Sequence, residues 1–236
     1  MANRSRSWKT TKVSAVLAAT LIVAACSGSP QVRSITLTFI RHAESESNAS
    51  GVLNTDVPGP SLTPEGKDQA ERLAHDLAHS GYDSIYASTM VRTQQTAAPL
   101  ASELGKQVEV LQGLQEIDAG WYNNTPMSMA PSTYMLAMTD WLAGDRHDEI
   151  PGSTSGTQFN DRFTAAVRKV YDSGHTKPVV FSHTFAIMVW TLMNVINGKN
   201  SLLTSHPLPN VGRVVITGNP ITGWTLVDWD GVRNFS

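Results

Sequence analysis

Three apolar runs in this chain end in side chains that can carry charge. SITLTFI stops at Arg41 and His42, with Glu44, Glu46 and Asn48 just beyond; VVFSH closes on Ser182 and His183; and SIYAS leads into a helix entry that carries Arg92. A strand that ends this way delivers polar groups to one edge of a sheet, where ligands of open α/β folds gather. In a doubly wound sheet all three ends open onto the same edge, so two arginines and two histidines converge, and two helix amino termini add backbone N–H donors. Such a set suits a dianionic phosphate. Each group also has a plain alternative: the arginines as surface ion-pair partners, the histidines as satisfied core residues.

The elements that must position these groups follow from pattern and punctuation. Strands are predicted at 35–40, 84–88, 107–111 and 177–183, and a final strand pair at 212–218 and 223–231 flanks the turn Asn219-Pro220. A helix over 63–81 has Thr63 as cap, Pro64 in its first turn and Ala70, Leu73, Ala74, Leu77 and Ala78 at helical spacing. Ser88 is the predicted cap of a helix over 90–105 with Gly105 as its stop, and further helices are predicted at 132–144, 155–174 and 184–197, the last one apolar enough to be buried between layers. Residues 113–131 carry Gly, Pro and Asn at loop density. Strands alternating with helices predict an α/β three-layer sandwich, a mostly parallel sheet with helices on both faces.

The chain has 236 residues, 41% hydrophobic and 16% charged, enough for one sizeable core. Its first residues do not fit that core. Arg4, Arg6, Lys9 and Lys12 precede an apolar run from Val13 to Ala25, which is too short for a spanning helix of about 20 residues and has the form of an export signal. Val23, Ala24 and Ala25 lead directly into Cys26, the one cysteine. This resembles the lipobox of bacterial lipoproteins, whose cysteine is acylated and becomes the new amino terminus. The expected organisation is a signal peptide over 1–25, a lipidated tether over 26–34 and one domain over 35–236, held on the extracytoplasmic face of the cell membrane through Cys26; an ordinary signal peptide with an incidental cysteine is the alternative. Loss of residues 1–25 removes four cations and no acid, lowering the net charge from −2 to −6. An acidic domain argues against nucleic acid and against a broad hold on anionic lipid. With Cys26 committed to lipid, no thiol remains for a disulfide or a thiolate metal site.

The polar ends belong to a longer pattern. Arg41-His42-Ala43-Glu44-Ser45-Glu46-Ser47-Asn48, then Leu62, Thr63, Gly66, Gln69 and Ala70, then Arg92, Gln95 and Thr96, then Glu116, Ile117, Asp118 and Gly120, and finally Ser182 and His183 stand in the order of five motifs of the histidine phosphatase superfamily, phosphoglycerate mutase-like branch. The chain resembles that family over residues 35 to about 215. It departs from the pattern at Ala43, at Trp121-Tyr122-Asn123-Asn124, at Pro151 to Ser155 and at Thr184, which replaces a glycine. The resemblance implies that the last three of these border the pocket, so the substrate does not carry over.

The resemblance implies a phosphate monoester hydrolase that needs neither cofactor nor metal. Neutral His42 attacks phosphorus and becomes phosphohistidine, with its other ring nitrogen tied to a backbone carbonyl. Arg41 and Arg92 grip the phosphate oxygens and a protonated His183 makes a third contact. Glu116 is the general acid and later the base, with Asp118 next in line. Asn48 and Thr184 are implied substrate contacts, and Glu44, Ser45 and Thr93 are further candidates to touch phosphate or orient Arg41. The partner is a small phosphorylated substrate, a phosphoprotein being compatible. Two rivals are a phosphoglycerate mutase-type phosphotransferase and a non-catalytic lipoprotein that binds an anionic ligand. His75 and His79 share a polar helix face with Glu71, Arg72 and Asp76 and are predicted to be solvated. Met127, Met129, Met135, Met138 and Trp141 are predicted either to form a lid or to sit in the core.

Overall fold

The computed structural model describes residues 1–2 and 32–235. The expected signal peptide and Cys26, with most of the tether, therefore lie outside the described residues apart from Met1 and Ala2. Among the described residues, no helix is long and apolar enough to cross a membrane.

Six strands make one sheet in the order β3-β2-β4-β1-β5-β6: β1 Ile35–Arg41, β2 Ser84–Ala87, β3 Val108–Val110, β4 Pro178–Ser182, β5 Arg213–Asn219 and β6 Gly223–Trp229. The first four strands in that order run parallel, and β5 and β6 close the sheet antiparallel. Alternation along the central strands fills two layers. Phe39 and Val180 join Phe159, Phe163 and Trp190 on one face, where Tyr134, Met138 and Trp141 also lie. Ile40, Val179 and Phe181 join Leu77, Ile85 and Leu100 on the other. The helices follow this division, with α2 Pro64–Leu77 and α3 Val91–Glu103 on the second face and α4 Tyr134–Ala143, α5 Gly156–Asp172 and α6 Thr184–Asn194 on the first. The three-layer α/β prediction therefore holds. Helix α6 is buried from Phe185 to Leu192, so it sits between the sheet and its neighbours as its composition demands.

The punctuation held in part. Thr63 caps α2, accepting from the Gly66 N–H at 2.9 Å, with Pro64 at the first position. Gly105 follows the end of α3 with φ +60°, a conformation glycine adopts without strain. Ser88 is not the cap of α3: the N-cap is Met90, without a side-chain bond, and the serine hydroxyl is used elsewhere. Elements too short for periodicity were not foreseen. They are α1 Glu46–Ala49, α7 Leu202–Ser205 and the 3-10 turns Gly120–Tyr122 and Met127–Ser132. Helix α1 exists because Ser45 and Asn48 exchange side-chain and backbone bonds in a capping box.

Candidate active site

Strand register brings the polar ends level. Arg41 is paired with Ser182 and Ala87 with Phe181. The ladder continues one step past the strands, with His42 N–H donating to the Ser182 carbonyl at 3.0 Å and Ser88 N–H to the Phe181 carbonyl at 3.2 Å. The imidazoles of His42 and His183 consequently stand 5.2 Å apart.

His42 Nδ1 lies 2.7 Å from the Ala43 carbonyl. Only an N–H can make that contact, so Nδ1 carries the proton and Nε2 the lone pair. Nε2 accepts from Arg92 Nε at 3.1 Å. Burial, then the positive charges of Arg92 and Arg41, hold His42 well below the ordinary imidazole range and keep it neutral. Arg41 is anchored through Nη1 to the Leu208 carbonyl at 2.7 Å, and Arg92 through Nη2 to the Asn54 carbonyl at 3.2 Å. Burial lowers each guanidinium to about 10, which leaves both charged at neutral pH. Arg41 Nε, Arg92 Nη1 and His183 Nδ1 are buried without a partner. A buried donor left unmade costs about 1–3 kcal/mol, so the two guanidinium N–H groups among them call for an anionic acceptor. Arg41, His42, Asn48, Arg92, Glu116 and Thr184 contribute to the walls of a cavity of about 30 Å³ between these groups. Gly59, at φ +72°, makes room for the Arg92 fork, since a Cβ there would fall 2.7 Å from Nη1.

Burial, then Arg92, push the His183 pKa well below the ordinary imidazole range, which disfavours the protonated ring that the resemblance implies. Its Nε2 meets the Ser88 hydroxyl at 2.8 Å. Thr93 Oγ1 donates to the Met90 carbonyl at 2.8 Å and Met90 N–H donates to Ser88 Oγ, so the single serine proton has two acceptors in reach, His183 Nε2 and Thr93 Oγ1 at 2.9 Å. When the serine donates to Nε2, His183 carries its proton on Nδ1, the ring nitrogen left without a partner.

Glu116 reaches the same cavity by a different route. His183 is the N-cap of α6 but makes no side-chain cap bond. Glu116 supplies that cap from a loop, accepting from Ala186 N–H at 2.7 Å and Phe185 N–H at 3.2 Å. Burial raises its pKa; the amides of Ile117, Ala186 and Phe185 and the charge of Arg92 oppose this without cancelling it. Arg162 on α5 fixes the loop, donating to the carbonyls of Gly113, Gln115 and Glu116 at 3.1 to 3.2 Å, while the Tyr134 hydroxyl donates to the Ile117 carbonyl. Neither Arg162 nor Ser88 was foreseen as part of the site.

The arrangement combines an unprotonated ring nitrogen, two guanidinium groups, a second buried imidazole and a carboxyl whose pKa is raised by burial. A family model described as histidine phosphatase superfamily (branch 1) matches residues 37–230. The chain belongs to that superfamily. Among relatives of this histidine phosphatase, a PE-PGRS family protein of Mycobacterium tuberculosis is 44% identical over 216 residues, which is 85% of this chain but only 37% of that protein. Phosphoserine phosphatase 1 of Hydrogenobacter thermophilus is 31% identical over 153 residues, 64% of this chain and 71% of its own. The fold is shared with a mycobacterial glucosyl-3-phosphoglycerate phosphatase in complex with VO3, at TM-score 0.70 and 18% identity over 84% of this chain and 100% of that one.

The remaining candidates divide between cavity and scaffold. Thr184 opens α6 on the cavity wall. Asn48 lines the cavity too, but its Oδ1 accepts from Ser45 N–H and Asn210 Nδ2, so only its NH₂ is left for a ligand. Glu44 is scaffold: Oε1 accepts from the Thr63 hydroxyl at 2.7 Å. Ser45 caps α1, and Thr93 touches Ser88 rather than the cavity. Gln69, Gln95 and Thr96 accept from the amides of Glu44, Leu62 and Ala43, so these motif positions pin the 43–62 segment. Asp118 accepts from Gly120 N–H at 3.0 Å and faces a neighbouring cleft. Met138 and Trp141 are core, Met135 packs partly buried against it, Met129 is exposed and Met127 lines the cavity. His75 and His79 are exposed.

Proposed function

We propose that this histidine phosphatase hydrolyses phosphate monoesters without a metal, through a phosphohistidine on His42. The observation that carries the reading is the 2.7 Å bond between His42 Nδ1 and the Ala43 carbonyl, which leaves Nε2 unprotonated in a site with two unpartnered guanidinium donors. An arriving phosphoryl group displaces the Arg92 N–H from Nε2. Nε2 then attacks phosphorus as the bond to the alcohol oxygen breaks. Arg41, Arg92 and the His183 Nδ1–H cover the non-bridging oxygens, and Glu116 gives its proton to the departing oxygen. In the second half the Glu116 carboxylate takes a proton from water, whose oxygen attacks phosphorus, freeing His42 and inorganic phosphate.

Rapid quench of a reaction with p-nitrophenyl phosphate and chelator tests this. The expected result is turnover together with an acid-labile phosphoryl adduct, both lost in His42→Ala. Wild-type rates from His42→Ala would move the nucleophile elsewhere. Turnover that appears only when a phosphoglycerate acceptor is supplied would favour the mutase-type reaction, and tight phosphate binding with no adduct would favour a binding protein. The cationic and apolar stretch before Cys26 supports an extracytoplasmic, lipid-anchored location, with the domain beginning near residue 35. Cys26→Ser is expected to abolish labelling by radioactive palmitate and detergent-phase partitioning; an unlabelled wild type would mean no such anchor.

A further inference from the structure

A cleft of about 820 Å³ opens beyond Glu116, and it contains charge that the hydrolase reading does not use. In-line displacement puts the leaving oxygen opposite the attacking nitrogen. His42 lines the small central cavity but not this cleft, whereas Glu116 lines both. A second recess of about 290 Å³, with Val52, Met127, Phe185 and Leu208 in its wall, shares Arg41, Asn48 and Thr184 with the cavity but lacks Glu116. An alcohol seated there would be out of reach of its acid. The cleft is therefore the side on which the alcohol leaves.

Its wall is acidic. The Asp56 carboxylate accepts from Asn123 Nδ2 at 2.7 Å and Asn54 Nδ2 at 2.9 Å. Asp118 accepts from Gly120 N–H at 3.0 Å and the Thr55 hydroxyl at 3.5 Å. All of these donors are neutral; Asp56 and Asp118 interact with the cations Arg92 and Arg162, respectively, through space, without a bond to either. Arg162 is the one cation among the described lining residues, and both its terminal nitrogens are bonded to the carbonyls of the 113–116 loop. Ser153, Thr154 and Gln158 complete the wall with uncharged polar groups.

We propose that this cleft binds the leaving alcohol and selects substrates in which that alcohol is neutral or amine-bearing, rejecting alcohols that carry a carboxylate. The proposal rests on the assignment of His42 and Glu116 as nucleophile and acid. A carboxylate in the cleft meets two like charges, while the one lining cation, Arg162, keeps its charge but has both terminal nitrogens committed to the 113–116 loop. At about 6 Å and an effective dielectric of about 40, one such repulsion amounts to about tenfold in the transition-state binding that sets kcat/KM. The named relative, a phosphoserine phosphatase, acts on a carboxylate-bearing ester, so the proposal separates this chain from it.

Two matched pairs read the preference directly: O-phosphoethanolamine against O-phosphoserine, and glycerol 3-phosphate against 3-phosphoglycerate. Within each pair one member carries a carboxylate where the other carries a hydrogen (first pair) or a hydroxymethyl group (second pair). The carboxylate-free member is expected to have the higher kcat/KM by about tenfold or more, with p-nitrophenyl phosphate as the common reference. Raising the salt to about 1 M should narrow the gap, and so should Asp56→Asn with Asp118→Asn, each read as the ratio within a pair. Equal or better use of phosphoserine or 3-phosphoglycerate overturns the proposal, as does a gap that survives both high salt and the double substitution. No turnover of any ester, p-nitrophenyl phosphate included, overturns the hydrolase reading instead. In that event calorimetric affinities of the four esters for the unmodified protein test the cleft, with the same order expected and the reverse order fatal.

Discussion

The phosphate-facing half of the site and its leaving-group half are built differently. Arg41, His42 and His183 sit at the ends of two paired strands, and their separation is set by the backbone ladder that pairs Arg41 with Ser182. Arg92 stands in the first turn of α3, the helix that follows β2. Glu116 has no strand behind it. Its place is set by bonds between side chain and backbone across distant elements: its own to the first amides of α6, and those of Arg162 to the 113–116 loop. Helix α6 joins the halves, because the residue at its N-cap, His183, leaves the cap position to Glu116. Groups that grip a constant phosphate can be fixed by the sheet. Groups that face a variable alcohol are held by contacts that sequence change can retune.

If the halves act on different ends of the substrate, substitutions in them should differ in how they depend on the leaving group. Glu116→Gln keeps an oxygen to cap α6 and removes the proton. The expected loss is about 10²- to 10⁴-fold on an alkyl phosphate and much less on p-nitrophenyl phosphate, whose alcohol leaves readily. Equal losses, with chemistry confirmed as rate-limiting, would show that another group is the acid, Asp118 first. The pH profile sharpens this. His42 is shifted below its usual range and attacks only when neutral, so it sets the acid limb. Glu116 is shifted above its usual range and donates only when protonated, so it sets the basic limb. A bell on the acid side of neutrality is expected, and its basic limb should vanish in Glu116→Gln.

Arg92→Ala belongs to the other half. Losing one charge-stabilising donor costs about 3 kcal/mol in the transition state, about 10²-fold in rate, and here the loss should be the same for both esters. A loss confined to the alkyl ester would place Arg92 with the leaving group and erase the distinction between halves.

The same distinction explains what could be read beforehand. Arg41, His42 and His183 were legible because a strand has a direction and its polar end must project from one edge of a parallel sheet. Thr63 and Gly105 were legible as local punctuation. Ser88 was misread, since a serine two residues before a helix resembles a cap and nothing local reveals that its hydroxyl meets a histidine 95 positions on. Glu116 was recognisable by motif alone. Its physical role has a faint signature in the uncapped start of α6, where His183 stands in place of Ser, Thr, Asp or Asn. Arg162 lies on a helix with many polar residues and could only be found through the carbonyls it meets.

Arg162→Gln tests whether the loop is held or merely decorated. Removing the fork frees three carbonyls and takes a positive charge away from Glu116. A loss of about tenfold is expected on the alkyl ester, less on p-nitrophenyl phosphate, since a general acid held loosely loses part of its contribution. The basic limb of the pH profile should move upward, because a carboxyl with less positive charge nearby keeps its proton longer. A fall in rate with an unmoved limb would mean that Arg162 supports the fold and not the acid.

The smallest expected effect is that of Ser88→Ala, and it tests the phosphate half at its finest point. By donating to His183 Nε2 at 2.8 Å rather than to Thr93 Oγ1, the serine hydroxyl would select the tautomer with the proton on the unpartnered Nδ1. Without it the neutral ring is free to carry its proton on Nε2, where it cannot reach the phosphate. A neutral hydrogen bond of this kind is worth about 1 kcal/mol, which corresponds to about fivefold in rate. Both esters should lose the same factor, as in Arg92→Ala and unlike Glu116→Gln. Nitrogen chemical shifts of the His183 ring give a readout that loosened packing alone would not produce. Nδ1 should be the protonated nitrogen in the wild type and share the proton with Nε2 in Ser88→Ala. If the wild-type ring instead holds its proton on Nε2, Ser88 is an acceptor, the unpartnered Nδ1 is a lone pair, and His183 cannot be a phosphate donor until it is protonated.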